Sequence, residues 1–179
     1  MSTGNVCVCL DSSVLYQDYG LGRARLRRLL ALAFVNGADV VVPRVVYDEL
    51  RHQHRDSLIE AQRQLRQATE WVRDLLVFDS PLTVPQASID YGKLLAARIA
   101  ELGIELRPYP AVSHESIVSR FYEGRKPMTS AVKSRKHYDA GYKDLLVWHT
   151  VLEILGEGYS RVVLVSGNAH DFGGEEDGR

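Results

Sequence analysis

An aspartate, Asp11, closes the run VCVCL and is followed by Ser12 and Ser13. Farther along stand Glu49 in PRVVYDEL, Asp144 in GYKDLLVWHT, and Asn168 and Asp171 in VSGNAHDF. These side chains are hard oxygen donors, with one amide and no thiolate or imidazole among them. Carboxylates brought together without a fixed cationic partner repel one another, which costs stability. A cation is therefore expected among them, and an oxygen-only donor set suits Mg2+ or Mn2+ better than zinc. Held by a few carboxylates, such an ion keeps several waters, can make one of them a nucleophile, and neutralises charge on a phosphate. Hydrolysis of a phosphodiester follows. Ser13 either orients Asp11 or a metal-bound water, or caps a helix beginning near Val14.

These residues must be positioned by the elements that carry them. VCVCL reads as a buried strand. Residues 21–38 place Leu26, Leu29, Leu30 and Phe34 at helical spacing opposite arginines, with a Gly stop. DVVVP is a second strand ended by Pro43, and residues 44–76 form a long helix with Val46, Leu50, Leu58, Leu65, Val72 and Leu75 as a rough stripe. Two prolines break the pattern in residues 79–85; residues 89–102 are the next helix, closed by Gly103. A short helix is expected near SHESIVSRFY, and residues 124–143 read as a long surface loop, which is uncommon enough to suggest function. The chain finishes with the helix YKDLLVWHTVLEILGEG and the strand RVVLVSGN.

Strands alternating with helices predict an α/β fold with a central parallel sheet covered on both faces. In such a sheet the carboxyl ends of strands and the amino ends of helices share one edge. Asp11 ends the first strand, Glu49 lies early in the helix after the second, Asp144 opens the last helix, and Asn168 and Asp171 follow the last strand. All should meet at one rim. Taken singly, an acid at a helix amino end can simply answer the helix dipole; the joint placement is what points to chemistry.

With 179 residues, 45 % of them hydrophobic, the chain suits one core, residues 1–179. A net charge of −1 argues against a global field for nucleic acid or membrane. Any basic surface is local: within residues 120–137, Arg120, Arg125, Lys126, Lys133, Arg135 and Lys136 are opposed only by Glu123. Beside an acidic metal rim these cations would hold a phosphate backbone; as ordinary surface residues they would only face solvent. Lys143, next to Asp144, either contacts a scissile phosphate or is exposed at the helix start. Cys7 and Cys9 alternate onto one strand face and read as a reduced, buried pair. The histidines are scattered, and His52 and His54 point to different helix faces, so they make no ligand pair. The start carries no signal pattern and no apolar stretch is long enough to span a bilayer, so a cytoplasmic protein that does not engage membrane is expected.

The blocks LDSSVLY, PRVVYDEL, GYKDLLVWHTVLEI and VVLVSGNAHDF, in that order, resemble the motifs of the PIN-domain nucleases, in a bacterial PIN-like branch larger than the small toxin members. The resemblance implies a three-layer α/β/α sandwich around a central parallel sheet. It also implies a metal-dependent endoribonuclease that cleaves single-stranded RNA with Mg2+ or Mn2+. Carried over by residue, Asp11, Glu49 and Asp144 would hold the metal. The fourth place falls on Asn168, where many members have Asp, or on Asp171; both are retained, Asp171 also as catalytic. Two departures stand out. Residues 79–140 match no short motif, so substrate choice is expected to reside there. The chain stops at GGEEDGR, where this fold usually adds a strand: either a last edge strand is missing or the sequence is a fragment. An open edge invites pairing with a second copy, and a toxin role would bring an antitoxin-like inhibitor protein.

Other classes fit less well. A receiver-type phosphoacceptor wants paired acids after the first strand, and a haloacid-dehalogenase-like phosphatase wants an Asp where Ser13 stands. No G-x-G-x-x-G follows the strand. The serious rival is a PIN-like domain with a decayed metal site that binds RNA or protein. If the basic loop supplies substrate affinity, changing Lys133, Arg135 and Lys136 together to Ala weakens RNA binding and flattens its dependence on salt, measured by fluorescence anisotropy at several ionic strengths. An unchanged slope would assign those charges to solvent.

Overall fold

The computed structural model describes residues 5–76, 90–128, 141–167 and 172. Its β-branched and cysteine-containing first run forms β1, Val6–Leu10. This strand is flanked by β2, Asp39–Pro43, and β4, Arg161–Val165, with β3, Glu105–Arg107, beyond β2. The order is β3-β2-β1-β4 and every pairing is parallel. Between the strands run α1 (Ser12–Leu15), α2 (Ala24–Val35), α3 (Arg44–Leu76), α4 (Tyr91–Glu101), α5 (His114–Tyr122) and α6 (Tyr142–Gly156).

The register sorts side chains into two layers of core. Cys7 pairs with Asp39 and Val162, and Cys9 with Val41 and Leu164. Cys7, Cys9 and Val41 then pack with Val151 and Ile154 of α6. Both thiols are free and fully buried, as alternation predicted. Burial pushes the Cys7 thiol up to about 11 and the Cys9 thiol higher still, so neither is a thiolate at neutral pH. On the opposite face Leu10, Val40 and Val42 pack with Leu26 and Leu30 of α2, Val46 and Leu50 of α3, and Leu95 and Ile99 of α4. Helices on both faces of a parallel sheet make the three-layer α/β/α arrangement.

The structure differs from the sequence expectation in three places. β3 was not foreseen, because Glu-Leu-Arg is short, charged and without alternation; it exists because β2 offers an open edge and Arg107 is held by Glu105 and Glu157. The first long helix begins at Ala24 rather than near residue 21, since the Asp18 carboxylate accepts from the backbone N–H groups of Gly22 and Arg23, both at 2.9 Å, and holds that stretch as a turn. The stripe along α3 is buried only in its first turns. Val46 and Leu50 are in the core, whereas Leu65, Trp71 and Leu75 are exposed among the described residues.

Gly141 sets the start of α6. It is the N-cap, in the left-handed region at φ 81°, and a β carbon there would run into the carbonyl of Pro127. Only glycine lets the segment at Pro127 and Met128 close against the helix start that carries Lys143 and Asp144. The left-handed conformation costs a residue with a β carbon about 1–2 kcal/mol, and the collision adds to it. Gly141→Ala is therefore expected to destabilise by ~2 kcal/mol or more, a fall in Tm of roughly 4–8 °C for a chain of this size, measured by calorimetry.

Candidate functional site

The carboxyl ends of β1, β2 and β4 and the amino ends of α1, α3 and α6 lie along one rim. α1 and α6 both pack on α3, so the rim residues stand on three helices in mutual support. Asp11 is its most buried polar group, 4 % exposed. Its N–H donates to the Val165 carbonyl at 3.0 Å, completing the β1–β4 ladder. Its extended backbone makes it the N-cap of α1, and Oδ1 accepts from the Ser12 N–H at 2.7 Å. Oδ2 accepts from Ser13 Oγ at 2.6 Å and from Ser166 Oγ at 2.7 Å. Ser13 Oγ in turn accepts from the Gly167 N–H at 2.8 Å. Ser13 therefore hydrogen-bonds Asp11, and Asp11 rather than Ser13 is the cap of α1. The only sequence signal for Ser166 is a hydroxyl in the turn directly after the last strand.

Glu49 lies in the second turn of α3, its side chain 20 % exposed. Oε1 accepts from Gln53 Nε2 at 3.1 Å and from Lys143 Nζ at 3.2 Å. Glu49 thus has a cationic partner, against the expectation of unpaired carboxylates, whereas no described lysine or arginine pairs with Asp11. Asp144, half-buried, is in the first turn of α6 but does not cap it. Among the described residues no group of three or more His, Cys, Asp and Glu side chains is disposed to hold a metal ion. Asn168, Asp171, Lys133, Arg135 and Lys136 lie outside the described residues.

Glu49 and Lys143 line a cleft of about 670 Å³, together with His52, Tyr109, His114 and Tyr142. Asp48 stands on the near wall and accepts from Arg44 Nε and from the Tyr109 hydroxyl, both at 3.0 Å. Burial raises its carboxyl, but these hydrogen bonds prevail and leave it below the usual value. The described basic residues beside the long loop are tied locally, Arg120 Nε donating to the Lys126 carbonyl at 3.1 Å and Arg125 pairing with Glu123. Of the histidines, His52 faces Asp56, His54 stacks on Tyr91, and His149 is lowered by burial and by Arg120. None of these three is hydrogen-bonded to Asp11 or Glu49 among the described residues, although His52 lines the cleft with Glu49.

The four-stranded parallel sheet with helices on both faces is an α/β domain of PIN-like type. A model of the PIN domain matches residues 8–172, and the chain belongs to the PIN-domain family. PIN domains are generally nucleases and typically use Mg2+ or Mn2+. No curated protein and no solved structure matches the chain. No helix among the described residues is long and apolar enough to cross a membrane.

Asp11 combines a helix cap with charge-assisted hydrogen bonds at a buried position. Asp11→Ala is expected to cost about 2–3 kcal/mol from the lost cap and the stranded donors, a Tm fall on the order of 5–10 °C. Ser166→Ala should cost only ~1 kcal/mol. Thermal melts of both proteins without added metal check the ratio.

Proposed function

We propose that the rim is the active site of a metal-dependent endoribonuclease that hydrolyses single-stranded RNA. The observation that carries this reading is the Asp11 carboxylate. It is buried and oriented by three hydroxyl or amide donors at 2.6–2.7 Å, and no described cation compensates its charge. A structural carboxylate this buried is ordinarily paired. The donor chemistry at the rim, oxygen throughout, fits a hard divalent ion. Among the described residues, Asp11, Glu49 and Asp144 do not by themselves form a ligand group; drawn together by the ion, they would hold it, with Asn168 or Asp171 as the fourth group. Bound there, Mg2+ or Mn2+ supplies charge neutralisation at the phosphate and a more acidic water.

The chain's own residues have separable tasks. Ser13 and Ser166 fix both the position and the rotamer of Asp11, so that its carboxylate needs no reorganisation. Lys143 holds Glu49 in place across the gap between α3 and α6. With the lysine 46 % and the glutamate 20 % exposed, this pair contributes at most about 1 kcal/mol. Lys143 can therefore exchange Glu49 for a phosphate oxygen at little cost. Lys133, Arg135 and Lys136 would carry the strand from outside the metal site.

The Glu49–Lys143 pair also favours a second reading, a PIN-like domain whose site has decayed and which binds RNA or protein without cleaving. Mn2+-dependent cleavage of a mixed single-stranded RNA pool separates the two. In the nuclease, Asp144→Asn lowers cleavage by orders of magnitude while the fold survives, the amide being nearly isosteric with the carboxylate. Mn2+ at a hundred times its dissociation constant stabilises the parent by ~2.7 kcal/mol through mass action and the variant much less. A variant that melts lower without metal and still cleaves at the parent's rate would make Asp144 a helix-dipole residue and end the nuclease reading.

A further inference from the structure

The cleft beside Glu49 and Lys143 has features that holding a metal does not require. Its outer wall is the segment from Pro108 to Ser113, which links β3 to α5 and lies in the part of the chain without recognisable motifs. Two tyrosines present their rings there: Tyr109 from this segment, 51 % exposed, and Tyr142 from the first turn of α6, 46 % exposed. The apolar lining includes Val45, Ile117 and Leu146. The wall is fixed at two points. The Tyr109 hydroxyl donates to Asp48, and the Ala111 N–H donates to Glu153 Oε1 at 2.6 Å. Asp48 is itself gripped by Arg44 and, at 3.4 Å, by Arg51. Exposed aromatic rings in a concavity, one of them held by a hydrogen bond, are poor for stability and well suited to stacking.

We propose that this cleft is a nucleobase subsite, taking one unpaired base of the RNA strand whose phosphate lies at the rim. This rests on the nuclease reading for the position of the phosphate, and it adds the part of the substrate that is recognised. Glu49 and Lys143 belong to both places, so a nucleotide whose phosphate meets Lys143 has its base within reach of the cleft. A volume of about 670 Å³ lies within the roughly 300–1,000 Å³ of small-molecule sites. A base within a duplex offers only its edges to the grooves. To lay its face on Tyr109 or Tyr142 it must leave the stack, so the cleft selects single strands by shape rather than by sequence.

The test uses the full chain and a short single-stranded RNA carrying 2-aminopurine, whose fluorescence is quenched on stacking. It is run first with chelator, so that binding is read without cleavage. The parent should quench the probe. Tyr142→Leu and Tyr109→Leu should each lose most of the quenching and weaken binding about ten-fold, the order supplied by one base–aromatic stack. Tyr109→Phe keeps the ring and should retain the quenching, which separates stacking from the hydrogen bond to Asp48. With Mn2+ restored, both Leu variants should raise KM while keeping the parent's metal-induced rise in Tm. Quenching without any cleavage by the parent would uphold the subsite and sink the nuclease reading. Cleavage by the parent with quenching absent, or with both Leu variants binding as the parent does, would overturn the subsite and leave the nuclease reading standing.

Discussion

The hydrogen-bonded carboxylate of Asp11 is the constraint on which the rim depends. One side chain ends β1, starts α1 and, through Ser13 and Ser166, fastens the turn after β4 to the turn after β1. The donors are neutral, so the negative charge is positioned but not neutralised. A lysine in place of the serines would stabilise such a group more strongly and leave it no capacity for another cation. Hydroxyls orient the carboxylate without compensating its charge.

The rest of the rim is positioned from the other side of the sheet. α6 packs Val151 and Ile154 against the cysteine face, and its first turn is set by Gly141, whose missing β carbon lets the Pro127 carbonyl approach. Lys143 therefore arrives at Glu49 as a consequence of backbone packing. This ion pair changes the electrostatic picture of the rim: of the acids expected to repel one another, one already has a cation. The pair is partly exposed and therefore weak.

The middle of the chain, which carries no motif, supplies the wall of the cleft. β3 is a short edge strand held by pairing with β2 and by Arg107 between two glutamates. Its consequence is large, because the segment that leaves it lays Tyr109 across Asp48. Asp48 and Glu49 are adjacent on α3 and face different tasks: the first is bound up with arginines and a tyrosine as part of the wall, the second belongs to the rim.

The sequence by itself determined the layers and the rim. β-branched runs, 3.6-residue periodicity and the alternation of strand with helix are local properties, and the handedness of parallel crossovers then places Asp11, Glu49 and Asp144 on one edge. Burial of Cys7 and Cys9 on one face followed from the period of two. Other features belong to the tertiary structure alone. Ser166 reaches Asp11 across 155 residues and Lys143 reaches Glu49 across 94. No local pattern encodes such meetings, because they depend on strand register, on a glycine's missing β carbon and on which rotamer a packed neighbour permits. For the same reason β3 and the Tyr109 wall were invisible: a three-residue charged strand has no periodicity, and its stability comes from the edge it joins.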